Sequence, residues 1–200
     1  PLDYVLNYQA KLRAANVVEL NDENRTLGNI AHQFIEDLVK DSKNDLSQMR
    51  KKMGAEFESM LNKIVLQKGA ILLLEENKIL LTQFRSTLKT AVFHLIEIIE
   101  TNQFSIVGCE IEKDFQYDDK LNFNARVDML LKDKDNKGIL FDLKWSKGKT
   151  YYHNLIKENK ALQLEVYRKV FEADKEMEIQ TVAYFILSYG FLETASLLKG

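Results

Sequence analysis

The sequence is poor in residues that interrupt or cross-link a chain. Among its 200 residues are 8 glycines, 1 proline and 1 cysteine. So little glycine and proline argues against a loop-rich scaffold and favours long regular elements. The lone Cys109 excludes a disulfide framework, a four-cysteine zinc site and a four-cysteine iron–sulfur cluster in this piece. It is compatible with a reducing cytoplasm.

Long hydrophobic runs and an excess of one charge are also missing. No apolar run reaches the roughly 18 residues of a transmembrane helix, and the N-terminus lacks the pattern of a secretory signal. Lys and Arg number 28 and Asp and Glu 30, for a net charge of −2. A protein that binds nucleic acid through its overall field is more basic. Any such binding therefore requires a local cationic patch or a larger assembly.

Hydrophobic periodicity divides the chain into two parts that we expect to form one domain over 1–200. Residues 1–103 have mostly helical periodicity, and residues 104–190 alternate in a way that is typical of strands. The expected helices cover 1–20, 27–39 with Thr26 as N-cap, 45–65, 82–101 and 154–172. The expected strands cover 123–131, 139–145 and 182–187, and the run 70–74 fits either type. This order predicts an α/β or α+β layer fold.

The most informative segment is a predicted hairpin within residues 122–146. A turn centred on residue 135 places Asp128 directly opposite Asp142, and alternation puts Arg126 and Lys144 on the same face. Opposed carboxylates about 5 Å apart repel by about 3 kcal/mol at an effective dielectric near 20. We therefore expect a cation between them, and carboxylate oxygens suit Mg²⁺ or Mn²⁺. The alternative is an exposed hairpin with solvated charges.

The other face of the hairpin is expected to be apolar and covered by a helix. Its predicted members are Val127, Met129, Leu131, Ile139, Phe141 and Leu143.

Two predicted helices add polar residues at spacings of three and four, which place them on one face. The sets are Gly28, His32 and Glu36, and Lys160, Gln163 and Tyr167. The alternatives are a hydrogen-bonded core histidine for the first set and a solvent-facing polar stripe for the second.

Taken in order, four motifs resemble those of the PD-(D/E)XK nuclease superfamily, specifically its RecB-type exonuclease branch. They are Gly28-x-x-x-His32-x-x-x-Glu36, Arg126-Val127-Asp128, Phe141-Asp142-Leu143-Lys144 and Gln163-x-x-x-Tyr167. That branch includes bacterial helicase–nuclease recombination enzymes and CRISPR-adaptation exonucleases. The resemblance implies an α/β fold with a restriction-endonuclease-like mixed β-sheet core flanked by helices. It also implies a Mg²⁺- or Mn²⁺-dependent deoxyribonuclease, an exonuclease of DNA repair and recombination with a helicase domain or subunit as partner.

The resemblance also assigns roles to residues. Lys144 would position or activate the attacking water, and Gln163 and Tyr167 would orient the site and contact the substrate strand. The implied metal ligands are His32, Asp128, Asp142, the backbone carbonyl of Leu143 and Glu110, with Glu112 as the competitor of Glu110. The chain departs from the family at Ala125, where glycine is usual. Its first residues resemble a segment inside longer members, so we expect a piece of a longer protein.

DNA contacts are predicted in the segment that follows the hairpin, where lysines lie near two tyrosines that can stack on unpaired bases. The candidates are Lys147, Lys149, Tyr151, Tyr152, Lys157 and Lys160, with Arg85 and Lys89 as an extension. An ordinary exposed loop is the alternative for this segment. For the whole chain, the alternatives are a catalytically inactive nuclease-like domain that binds DNA or scaffolds a helicase, and a helical partner-binding module over 45–101.

Overall fold

The computed structural model describes residues 23–118, 121–146, 148–158, 160–173 and 177–194, apart from the side chains of 115–123 and Lys149. The helix expected over 1–20 lies outside these residues. Within them, none of the helices combines the length and the apolar character that crossing a membrane requires.

Four helices precede the sheet, and they confirm the helical character of the first half. They are α1 (Glu23–Asp41), α2 (Leu46–Ala55), α3 (Phe57–Lys68) and α4 (Lys78–Thr101), with 3₁₀ turns at Ala70–Leu73 and Glu75–Asn77. The single helix predicted over 45–65 is wrong, because Glu56 leaves helical geometry at φ −121° and ψ −2°. Thr26 lies inside α1 and is not its N-cap, since Glu23 already belongs to the helix, where its charge suits the first turn.

Five strands follow in a sheet whose spatial order equals the chain order. They are β1 (Ser105–Asp118), β2 (Leu121–Lys132), β3 (Gly138–Lys144), β4 (Ile179–Ile186) and β5 (Phe191–Thr194). Only the β3–β4 pair is parallel. Its crossover contains α5 (Lys149–Lys157) and α6 (Leu162–Ala173), where the sequence predicted one helix over 154–172.

The hairpin has the predicted register. Phe141 pairs with Met129, and the pairing continues to Lys132 and Gly138, as expected for a turn centred on residue 135. The Asp133 side chain closes this turn by accepting hydrogen bonds from backbone N–H groups. The described ladder ends at Met129 and Phe141, so Asp128 and Asp142 lie one step beyond it.

Helices cover the sheet on both faces, so the face predicted to be polar is partly buried. On one side α1, α3 and α4 form a core with Met129 and Phe141. On the other side α6 packs over Leu130 and Leu140. A strand with helices on both sides is buried throughout, and β3 is buried over all but its last residue.

Val127 does not share a face with Met129, which corrects the prediction for the apolar side of the hairpin. Val127 packs in the α6-side core, whereas Met129 packs in the other. On the neighbouring strand, Ile111 and Cys109 separate in the same way. The β1–β2 ribbon therefore turns over between these pairs, at Glu110, whose φ is +53°.

Candidate active site

An open cleft of about 890 Å³ lies between α1 and the carboxyl end of the hairpin. The helix contributes Gly28, His32 and Glu36, which the sequence placed on one face. The strands contribute a set of charged residues, Glu110, Arg126, Asp128 and Lys144, together with Leu143, and Trp145 follows directly after β3. The first and second predicted motifs and the end of the third therefore meet around one cavity.

His32, Glu110 and Asp128 form the tightest cluster in the cleft. His32 Nδ1 lies 3.4 Å from Asp128 Oδ1 and 4.0 Å from Glu110 Oε1. One ligand atom from each of the three lies within 4.8 Å of the other two. Two carboxylate oxygens and one imidazole nitrogen form a donor set that fits Mg²⁺ or Mn²⁺. We refer to these three residues as the triad.

The strand pairing positions the two acids of the triad. Glu110 and Asp128 lie between the paired residues Cys109–Met129 and Ile111–Val127 of the β1–β2 ribbon, so the two carboxylates emerge together.

The third strand fixes the orientation of Asp128. The backbone N–H of Leu143 donates a hydrogen bond to Asp128 Oδ2 at 2.6 Å. The other oxygen, Oδ1, therefore faces His32. The structure thus gives Leu143 a backbone donor role, and metal binding through its carbonyl stays a prediction.

Glu110 is the better placed of the two glutamates that the sequence left as alternatives. Arg126 Nε donates a hydrogen bond to Glu110 Oε2, while Glu110 Oε1 faces His32. Glu112 lies 3.6 Å from Arg126 Nη1 and its side chain is 59% exposed. The hydrogen bond from Arg126 to Glu110, together with the charge of Glu110, raises the pKa of Arg126.

Asp142 lies deeper than the triad and is only 1% exposed. Lys144 Nζ is 2.7 Å from Oδ2 of Asp142. Among the described residues, Asp142 Oδ2 has this ion pair but accepts no well-directed hydrogen bond. Tyr167 donates its hydroxyl to Asp142 Oδ1 at 3.3 Å, and Gln163 Nε2 donates to Tyr167 at 2.6 Å. A chain of hydrogen bonds therefore connects Gln163 with Asp142. Tyr167 itself packs in the α6-side core, so it does not belong to a solvent-facing polar stripe, which was the alternative for this helix.

Burial and neighbouring charges shift the pKa values at the site. Burial raises the pKa of Asp142 to about 6, although the charge of Lys144 opposes the shift. Burial lowers the pKa of Lys144, but the charge of Asp142 and its close polar contact with Lys144 have the larger combined effect, so the pKa of Lys144 is raised. Burial also lowers the pKa of His32, and its hydrogen bond and charge interaction with Asp128 raise it by more. Lys144 is therefore an ammonium at neutral pH.

Among the described candidates for DNA contact, none lines the cleft, although Tyr152 lies near enough to Lys144 and Asp142 to interact with their charges. Tyr151 is 59% exposed and packs edge-on against Tyr152 at 5.0 Å between centroids. Lys160 Nζ lies 2.7 Å from Glu158 Oε2. Lys147 and the side chain of Lys149 lie outside the described residues.

Arg85 and Lys89, which were predicted to extend these DNA contacts, lie on α4. Arg85 contacts Glu58 at 2.8 Å and Asn62 at 2.6 Å. Lys89 lies over the ring of Phe57. Both cations thus join α4 to α3.

Sequence reasoning missed a second row of polar residues on α1. Arg25, Asn29 and Gln33 line the cleft, and Lys68 from α3 donates a hydrogen bond to Gln33. The spacing of four between Arg25, Asn29 and Gln33 is the signal that could have revealed them, because residues four apart are neighbours on a helix surface.

Comparisons with known proteins agree with this geometry. A family model of the PD-(D/E)XK nuclease superfamily matches residues 1–196. A search of curated proteins gave no significant match. The five-stranded mixed sheet with flanking helices agrees with a restriction-endonuclease-like α/β fold. The family model covers nearly the whole chain, and the chain belongs to the PD-(D/E)XK nuclease superfamily.

Proposed function

We propose that this chain is a divalent-metal-dependent deoxyribonuclease, an exonuclease of the RecB type that acts in DNA repair and recombination. The family supports nuclease activity. The observation that carries the metal-dependent mechanism is the triad in an open cleft, next to the ion pair of Lys144 and Asp142. The choice of DNA, the exonuclease action and the RecB-type assignment rest on the order of the motifs.

The donor atoms of the triad fit Mg²⁺ or Mn²⁺, and Asp142 and the Leu143 carbonyl complete the proposed ligand set. Such an ion lowers the pKa of a bound water and neutralises charge on a phosphoryl oxygen. The residues supply the fixed geometry. Leu143 N–H holds Asp128, and Arg126 holds Glu110.

Lys144 is proposed to position the attacking water or a phosphate oxygen. Its pKa is raised by Asp142, so it remains protonated and donates hydrogen bonds. A side chain in that state orients a nucleophile but cannot accept a proton from it. Gln163 and Tyr167 act on the same pair, because the Tyr167 hydroxyl holds the second oxygen of Asp142.

The substrate strand is proposed to follow the cations of the cleft. Arg25, Lys68 and Arg126 line it beside Lys144, and phosphates attract such a row of cations. The predicted contacts at Lys147, Lys149, Tyr151, Tyr152 and Lys160 would extend this path beyond the cleft. A helicase partner and a cytoplasmic location also stay predictions. The first rests on the RecB-type resemblance, and the second on a cysteine content that is compatible with a reducing cytoplasm.

The test is degradation of end-labelled single- and double-stranded DNA with Mg²⁺, Mn²⁺ or EDTA, followed on denaturing gels. We expect cleavage that EDTA abolishes and that Lys144→Ala removes. Lys134→Ala is the matched control, because Lys134 is exposed in the turn at the far end of the same hairpin. DNA binding without metal-dependent cleavage would favour the inactive nuclease-like alternative. Mononucleotide products would support exonuclease action.

A further inference from the structure

A second, smaller cavity adjoins the cleft. It has a volume of about 230 Å³ and lies between the start of α1, α4 and the segments that follow β3 and β4. Asn24 and Trp145 line both cavities. Trp145 directly follows Lys144, and consecutive Cα atoms are about 3.8 Å apart. The second cavity therefore begins one residue beyond the lysine of the proposed active site.

Aromatic rings form part of its wall. Trp145 packs edge-on against Phe84, with 4.9 Å between ring centroids and 61° between planes. Tyr189 lines the same cavity and is 41% exposed. Rings of this kind bind nucleobases by stacking, since every base has a π-face.

Hydrogen bonds join the two chain segments that lead to Trp145 and Tyr189. The N–H of Leu187 donates to the carbonyl of Lys144 at 2.8 Å. The Ser188 hydroxyl donates to the carbonyl of Ser146 and accepts from its N–H. The cavity thus lies at the carboxyl ends of two parallel strands, where open α/β sheets bind ligands.

The lining chemistry favours a neutral planar group over a phosphate. The described lining residues include Glu23 but no Lys or Arg. Asn24 and Gln83 offer amides that can pair with the edge of a base. The Asn24 Oδ1 atom is buried and accepts no hydrogen bond from the described residues. The volume is below the roughly 300–1,000 Å³ of pockets for drug-sized ligands, which fits one ring system.

We propose that this cavity is a base pocket, which binds a nucleobase next to the scissile phosphate between Trp145 and Tyr189. The inference rests on the proposed nuclease function and adds a second recognition element to it. The triad would hold the metal ion at the phosphate and Lys144 would orient the attacking water or a phosphate oxygen, and the base pocket would fix the position of the strand by holding one base. Truncating a stacked aromatic side chain is expected to weaken binding about tenfold.

A strand with one central abasic residue tests the proposal by its cleavage ladder. In the wild-type protein, cleavage is expected to slow about tenfold at one phosphodiester, at a fixed offset from the abasic residue. Tyr189→Ala should slow all positions and remove this local pause, whereas the matched control Tyr189→Phe should keep it. A wild-type ladder without the pause overturns the base pocket and leaves the nuclease proposal intact.

A second measurement does not depend on cleavage. The chain has a single tryptophan, so its fluorescence reports on Trp145 alone. Titrating Asp142→Asn protein with a thymidine oligonucleotide in EDTA should quench this fluorescence, and a fully abasic strand of equal length should not. Equal signals from the two strands overturn the base pocket. If no metal supports cleavage, the nuclease proposal fails and this titration still decides the pocket.

Discussion

The ammonium of Lys144 lies 2.7 Å from Oδ2 of Asp142, a carboxylate that is 1% exposed. The ion pair favours the charged form of Asp142, whereas burial opposes it. Burial has the larger effect, because removing two charges from water costs more free energy than a loosely satisfied pair regains. Burial still raises the pKa of Asp142 to about 6. The site therefore holds an acid that is less stable when ionised than it would be in water.

Asp142→Asn is expected to stabilise the metal-free protein while abolishing cleavage. The pKa of Asp142 rises from 3.8 to about 6 on folding, which corresponds to about 3 kcal/mol at about 1.4 kcal/mol per unit. Because the pKa of Asp142 is higher in the folded state, the group contributes its full stabilisation of the fold below pH 3.8. This stabilisation is lost as the pH rises through 6. The variant should therefore match the wild type near pH 3.8 and exceed it by about 3 kcal/mol above pH 6.

Urea unfolding in EDTA at several pH values measures this difference. Asp133→Asn does not serve as a control, because Asp133 closes the hairpin turn. Asp135→Asn serves, since Asp135 is exposed in the same turn and should show no comparable gain. A wild-type protein as stable as the variant at pH 7 would contradict the prediction.

Lys144→Met is expected to reduce the cleavage rate constant by about 100–1,000-fold, the usual cost of losing one positioned donor. It leaves the triad in place, so the affinity for Mn²⁺ should fall far less than the cleavage rate. Single-turnover cleavage and Mn²⁺ titration measure the two properties separately. Loss of metal binding together with activity would assign Lys144 a structural role instead.

The triad predicts a pattern of metal affinities. Asp128→Asn and Glu110→Gln should weaken Mn²⁺ binding by at least the roughly 10–100-fold that loss of a supporting partner causes. Glu112→Gln is the matched control, because Glu112 lies on the same strand and its side chain is 59% exposed. Isothermal titration with Mn²⁺ gives the affinities. Equal losses at residues 110 and 112 would show a general charge effect rather than ligation.

Gly28→Ala is expected to raise the free energy of unfolding by about 0.5–1 kcal/mol, because alanine favours a helix interior more than glycine does. The added Cβ would lie 3.5 Å from Trp145 Cβ, an ordinary contact. Gly54→Ala in α2 is the control, since a Cβ there meets nothing within 4 Å. Thermal unfolding of both variants shows whether the Trp145 contact costs anything. A lower melting temperature for Gly28→Ala alone would reveal such a cost.

Local patterns predicted the hairpin well because its information is local. The turn centre at residue 135 follows from the sequence, and it fixes the pairing of Met129 with Phe141. The break at Glu56 and the face change between Val127 and Met129 depend on single backbone angles and on packing from distant helices. Periodicity does not record these features.

The site was predictable in its residue types and less so in its arrangement. The spacing of His32 and the motif around Asp128 place both near one cavity. The depth of Asp142 depends on α6, which covers β3 from the other side, and no short motif encodes that coverage. The cavity behind Trp145 requires α4 and the chain after β4 to meet, which only the tertiary structure shows.

Glu110 combines a proposed ligand with a left-handed backbone angle, φ +53°. Such an angle costs a residue with a Cβ about 1–2 kcal/mol, and glycine would relieve it. Selection for thermal robustness alone would therefore favour losing the carboxylate here. Engineering of this chain should consequently monitor metal affinity whenever residue 110 is varied, because foldability and chemistry oppose each other at this one position.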